Sequence, residues 1–156
     1  MSSTLVTSPS FSGKSTYLRT LLEYQHLYFR EPVARVIVVN CMPGITFGTL
    51  QERPGCPRPL PEVLQISAES YRSDVLQPGD VLIFEDLPII NDTVRALLKG
   101  EVHHSGLAHF FLVTHSLLSM KNYEILTYAH RIVLFLQSSA VTVLATYLLQ
   151  TRFLDK

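Results

Sequence analysis

The chain has 156 residues, 47% hydrophobic and 17% charged, with 13 Lys and Arg against 13 Asp and Glu. That is one domain of ordinary size, poorer in charge than the roughly 25% of an average domain and apolar enough to fold, which excludes a disordered chain. A net charge of zero argues against a free-standing protein that coats nucleic acid, and leaves open a local basic patch or a ring of copies. Cys41 and Cys56 make neither a disulfide framework nor a C-x-x-C metal pair, so a reducing compartment is expected.

In chain order, residues 4–7 are a short apolar run that ends in the turn cluster Ser8-Pro9-Ser10, and they predict a buried strand. The first residues lack the basic start and long apolar stretch of a signal peptide. From residue 14 to about 29 the pattern becomes helical, with Tyr17, Leu18, Leu21, Leu22, Leu27 and Tyr28 on one broad face. Residues 33–40 are β-branched and predict a second buried strand. Residues 41–61 hold Pro43, Gly44, Gly48, Pro54, Gly55, Pro57, Pro59 and Pro61, the composition of a long irregular loop. Residues 63–67 suit a short strand or an edge segment, and residues 70–76 a short helix closed by Pro78-Gly79.

Strands are then expected at 81–84, 108–114 and 132–136, with helices at 91–102, 116–128 and 139–150. The stretch 132–149 is long enough to span a membrane, but Gln137, Ser138, Ser139, Thr142 and Thr146 interrupt it; a strand, a turn and a helix fit better, and no membrane partner is expected. Alternating short strands and helices predict a single α/β domain over residues 1–156 with a mainly parallel sheet.

The strongest local signal is Ser8-Pro9-Ser10-Phe11-Ser12-Gly13-Lys14-Ser15-Thr16, between the first strand and the first helix. A phosphate-binding loop reads G-x-x-x-x-G-K-[ST] in that context, and here Ser8 stands at the first glycine. In such a loop backbone N–H groups and the helix N-terminus converge on phosphate oxygens. Lys14 would reach the β- and γ-phosphates, and Ser15 would offer its hydroxyl to Mg²⁺. The second signal is Val81-Leu82-Ile83-Phe84-Glu85-Asp86, two acids at the end of a buried strand. One carboxylate can hold Mg²⁺ and the other can polarise water; Glu85 is assigned to the metal and Asp86 to the water, an order that could be exchanged. The pairing needs these carboxylates within about 10 Å of the Lys14 ammonium. The third signal is Thr114 at the end of the fourth long strand, a place for a polar residue that senses phosphate, with His115 beside it. His103, His104 and His109 match no metal spacing and fit a helix end better. Arg131 and Arg95 are candidates to reach a nucleotide held by a neighbouring copy.

The order of these motifs resembles a family. Gly13-Lys14-Ser15-Thr16, Phe84-Glu85-Asp86-Leu87, the stretch from Glu101 through His103-His104 to Thr114, and Tyr128-Ala129-His130-Arg131-Ile132-Val133-Leu134-Phe135 are similar to genome-packaging ATPases of the FtsK–HerA superfamily. The likeness is greatest to the short branch of poxvirus, adintovirus and Polinton-type elements, and it runs over roughly residues 5–150. It implies a three-layer P-loop NTPase with a five-stranded sheet, the strand ending at Thr114 lying between the phosphate-loop strand and the acidic strand. It implies ATP hydrolysis with Mg²⁺ by Lys14, Glu85, Asp86, Thr114 and a trans-acting Arg131. It also implies a homo-oligomeric ring, double-stranded DNA and viral capsid proteins as partners, and a place inside an infected cell or on the virion. The loop at 41–61, with Arg53 and Arg58, is then a candidate to grip DNA. A small nucleoside or nucleotide kinase remains an alternative, although 116–128 offers only Lys121 where such enzymes carry lid arginines. A nucleotide-binding module without turnover is a third.

Overall fold

The computed structural model describes residues 2–7, 13–86, 92, 95, 106–115 and 129–135. Six strands form one sheet: β1 Ser2–Thr7, β2 Arg35–Asn40, β3 Glu62–Ser67, β4 Val81–Glu85, β5 His109–Thr114 and β6 Arg131–Leu134. Their order is β3-β2-β4-β5-β1-β6 and every pairing is parallel. The strand that ends at Thr114 therefore lies between β1 and the acidic strand β4, as expected.

Parallel sheets are covered on both faces, and their strands read as unbroken apolar runs. Val36, Ile37, Val38 and Val39 in β2 are wholly buried, as are Val81, Leu82 and Ile83 in β4. Alternation sorts them onto two faces. Leu5, Ile37, Val39, Leu82, Phe84, Phe110 and Leu112 pack on one face with Tyr71 and Leu107. Val6, Val36, Val38, Ile83, Phe111 and Val113 pack on the other, against Leu18, Leu21 and Leu22 of helix α1, Lys14–Glu23.

The sheet has six strands rather than five. Residues 62–67 are a full edge strand, in register with all of β2 from Arg35↔Glu62 to Asn40↔Ser67. Among the described residues only one side of β3 is paired, and its side chains are half-buried or exposed, so its sequence is less apolar than that of the central strands. The single helix expected over 14–29 is also broken. It stops at Glu23, Tyr24 departs from helical backbone with φ −105° and ψ 36°, and a further turn, α2 Gln25–Tyr28, follows. At 70–76 only a 3₁₀ turn, Ser73–Val75, forms. The helices expected at 91–102, 116–128 and 139–150 fall almost entirely outside the described residues. Among the described residues no helix is long and apolar enough to cross a membrane, and the stretch expected to start as a strand at 132 does so, as part of β6.

The loop at 41–61 contains no helix or strand, yet it is strapped to the domain. Phe47 is wholly buried, and Arg19 donates to its carbonyl at 2.5 Å. Buried Glu23 accepts from Gln51 N–H at 2.9 Å and from Arg53 at 2.6 Å. Arg58 donates to the carbonyls of Phe29 and Arg30, both at 2.8 Å. Both arginines considered for DNA are thus committed to the domain's own backbone and carboxylate.

Candidate functional site

In an open parallel sheet, ligands bind beyond the C-terminal ends of the strands, where successive connections leave in opposite directions. That point falls at β1 here. The chain leaving β1 travels past β5 and β4 to β2, whereas the chain leaving β5 travels to β6 on the other side. The register lines up Thr7 with Thr114 and Asn40 with Glu85, so β1, the acidic strand β4 and β5 end at one edge.

Gly13 opens α1 with φ 91°, a left-handed conformation that glycine adopts without the Cβ penalty of other residues. A Cβ built there would meet Phe135 only at 4.0 Å, so the backbone and not the space calls for glycine. Gly13 O accepts from Tyr17 N–H at 2.8 Å, closing the first helical turn. Lys14 and Ser15 then occupy the helix N-terminus, with Lys14 almost fully buried. Ser8, Pro9, Ser10, Phe11 and Ser12 lie outside the described residues, and Thr16 is exposed and accepts from Arg19 at 3.2 Å.

Glu85 follows Phe84, so alternation turns it to the α1 face, where it accepts a hydrogen bond from the Ser15 hydroxyl. Continuing the strand would turn Asp86 to the opposite face. Instead its backbone is left-handed, φ 57°, and its Oδ1 meets His115 Nε2 at 2.5 Å. His115 Nδ1 in turn meets Lys14 Nζ at 3.1 Å. Ammonium and second carboxylate are therefore one imidazole ring apart, inside the limit the sequence reading set. Glycine at 13, lysine at 14, serine at 15 and the acids at 85 and 86 come together from α1 and β4 although some 70 residues separate them.

Burial pushes the Glu85 carboxyl above the ordinary range, and nearby Asp86 adds to this, while the Ser15 hydrogen bond acts in the opposite sense. Burial lowers the Lys14 ammonium, offset by Asp86 and Glu85. Cys41, whose N–H extends the ladder to Glu85 O at 3.1 Å, has its thiol raised to about 11 by burial and by the same two carboxylates. So weak an acid is almost entirely protonated near neutral pH and makes a poor nucleophile.

Glu85 Oε2 is buried and finds no hydrogen-bond donor among the described residues; nor does Oδ1 of its register partner Asn40. Two acceptor oxygens without a donor are costly when buried. The Glu85 carboxylate and the Ser15 hydroxyl that bonds it are hard oxygens of the kind Mg²⁺ takes. The residues present therefore fit a divalent cation at Ser15 and Glu85.

Two sequence-derived candidates sit differently. Thr114 is buried at the end of β5, but alternation after Val113 turns it to the face away from α1; the contact with Lys14 and Asp86 is made by its neighbour His115. The sequence drew attention to His115 only as the neighbour of Thr114, because Lys14 and Asp86 are distant from it in sequence. Arg131 opens β6 in register with Thr4, three positions short of the edge that bears the site. It is exposed, with its guanidinium 5.3 Å from the centre of the Tyr28 ring, and within its own chain it is not part of the cluster. Arg95 pairs with Asp92 at 3.1 Å. His103 and His104 lie outside the described residues, and His109 is a core residue of β5 rather than part of a helix end. Among the described residues no group of three potential ligands of the His, Cys, Asp and Glu type is assembled. No protein-family model matches this chain, and no curated protein sequence matches it.

Proposed function

We propose that the chain is a P-loop ATPase that uses Mg²⁺ and couples hydrolysis to the movement of double-stranded DNA, as genome-packaging ATPases do. The observation that carries the nucleotide half of this reading is the Ser15–Glu85 hydrogen bond beside the Lys14–His115–Asp86 chain of contacts. A lysine and a serine at a helix N-terminus, facing two carboxylates across a strand end, suit a phosphate chain and its cation. Lys14 and the α1 N-terminus would bind phosphate oxygens. Ser15 and Glu85 would hold Mg²⁺, which when bound screens phosphate charge. Asp86 lies beside them to orient and deprotonate water.

The DNA half rests on the resemblance in motif order, and it places the second copy's Arg131 against the nucleotide. It does not draw on Arg53 and Arg58, whose guanidiniums are engaged within the domain. The deciding experiment is phosphate release from ATP with and without double-stranded DNA, for the native chain and for Lys14→Ala. Release that DNA stimulates and that Lys14→Ala abolishes is the expected result. Turnover indifferent to DNA with phosphate passed to a nucleoside would mark a kinase. Nucleotide binding without turnover would mark a binding module.

A further inference from the structure

The loop at 41–61 brings a thiol to the end of α1 opposite Lys14 and Ser15. Pro54 and Gly55, the latter with φ 77°, make a tight turn that Cys56 N–H closes on Arg53 O at 3.1 Å. The turn presents the half-buried Cys56 to the break between α1 and α2. There its Sγ donates to the Glu23 carbonyl at 3.2 Å and lies 3.3 Å from His26 Nδ1. A cavity of about 260 Å³ adjoins the pair, and its walls include Cys56, Arg53 and Arg58.

We propose that Cys56 is a modification site: it exchanges with low-molecular-weight disulfides of the glutathione class, and the adduct loosens the strap that ties residues 51–58 to α1 and α2. This is independent of the nucleotide reading. In the exchange Cys56 gives up its proton and its sulfur bonds to one sulfur of the disulfide. The S–S bond of the disulfide breaks, and the departing sulfur takes up a proton and leaves as a thiol. The disulfide is the oxidant, so Cys56 is oxidised while one half of the disulfide is reduced. The imidazole favours this step in either tautomer: as acceptor it takes the thiol proton, and as donor it stabilises the sulfur anion. The cavity gives the adduct room. Arg58, which bonds the carbonyls of Phe29 and Arg30 and so keeps its net charge, places positive charge on the wall for the carboxylates of the adduct. Cys41 is the internal control. It too is half-buried, but its Sγ meets the Val39 carbonyl at 3.8 Å rather than an imidazole. An adduct on Cys56 removes the S–H that Glu23 O accepts and inserts bulk between the turn and the α1–α2 break. That strains the neighbouring contacts of Gln51 N–H and Arg53 with the Glu23 carboxylate. In a reducing compartment the thiol stays reduced, and an oxidised thiol pool switches it.

Oxidised glutathione, added to the full chain at neutral pH and followed by intact mass and peptide mapping, tests this. One adduct is expected, on Cys56 and removed by dithiothreitol, with Cys41 slower by about tenfold or more. In urea, where the folded surroundings are gone, the two cysteines should react within about threefold of one another. His26→Phe keeps a ring and loses both nitrogens. It should slow the adduct at Cys56 by about tenfold, as the loss of one hydrogen bond to the reacting sulfur implies, and leave Cys41 unchanged. Native-state amide exchange at Gln51 should be faster in the adduct than in the reduced chain. Cys41 reacting as fast as Cys56 in the folded chain, the same preference persisting in urea, or an unaltered rate in His26→Phe would each overturn the site. The comparison of folded with unfolded chain needs no variant and decides the matter if His26→Phe does not fold. Gln51 exchange that ignores the adduct would overturn the loosening.

Discussion

Strand β5 carries a histidine at each end, and the two could hardly differ more. His109 opens the strand and is 2% exposed. Its Nδ1 meets the Ser2 hydroxyl at 2.6 Å and its Nε2 the Thr4 hydroxyl at 2.9 Å, while the rings of Tyr28, Phe29 and Phe111 surround it. Burial, with Arg131 and His130 nearby, drives its pKa down to about 4. His115 follows the strand's last residue and lies between an ammonium and a carboxylate. One histidine is neutral packing material with its polar atoms satisfied by hydroxyls. The other links charges at the edge where a parallel sheet binds its ligands. Within one strand, then, the residue type says little and the end of the sheet says a great deal.

The division is broken most forcefully at the charged end. Glu85→Gln should lower phosphate release by about 10²-fold or more, because a neutral amide holds Mg²⁺ poorly and leaves transition-state charge unbalanced. The same change should stabilise the fold. Burial raises the Glu85 pKa, so the folded chain holds that proton more readily than the unfolded one. The stability gained from this difference is complete below the unfolded carboxyl pKa and is lost as pH rises through the raised value. At neutral pH the ionised form therefore weakens the fold, and Glu85→Gln removes that cost while its Oε1 still accepts from Ser15. Thermal unfolding at neutral pH should show a higher midpoint beside the lost turnover. A midpoint that falls would mean that the carboxylate is a structural anchor, and the contrast between the two ends would fail.

The opposite end predicts the reverse, with stability affected and turnover spared. The unfolded His109 titrates near 6.5 and the folded one near 4. Its contribution is present above 6.5 and is lost as pH falls through 4, since the unfolded chain takes up the proton first. The span corresponds to about 3 kcal/mol. Denaturation of the native chain at a series of pH values should show stability falling across that window, and His109→Gln should flatten the slope. Read as a slope, the measurement is insensitive to the packing lost with the ring. An unchanged slope in the variant would show that other groups carry the acid sensitivity.

The two histidines also mark what the sequence could and could not reveal. The central strands were legible because runs such as 36–39 and 81–84 are apolar on both faces, which only a doubly covered sheet permits. The strand at 62–67 was only half legible. A strand at the edge of the described sheet keeps exposed residues such as Glu62 and Ser67, and so resembles a loop. The break at Tyr24 was invisible because apolar periodicity runs through it. Glycine, lysine and serine at 13–15 and the acids at 85–86 were legible as contiguous motifs. His115 was not, because its meaning lies in contacts to residues 101 and 29 positions away. By type and strand context it looks like His109. Thr114 drew attention as a strand-end residue, and only the alternation after Val113 shows which neighbour faces α1.

The smallest expected effect sharpens the comparison from the N-terminal edge. Arg131 lies over Tyr28, the same ring that packs on His109 with centroids 5.5 Å apart. Arg131→Ala should cost only about 0.5–1 kcal/mol, the worth of an exposed cation–π contact. It sits three register steps, about 10 Å, before the strand ends that carry the site, so the affinity of a single chain for nucleotide should not change. If Arg131 completes a neighbour's site, turnover per native chain should climb with protein concentration as copies associate, and Arg131→Ala should abolish that climb while leaving the dilute rate intact. A variant that follows the native curve throughout would reduce Arg131 to a surface cation. Weaker nucleotide binding at low concentration would be more damaging, because a residue at the packing end would then reach the phosphate end of its own chain.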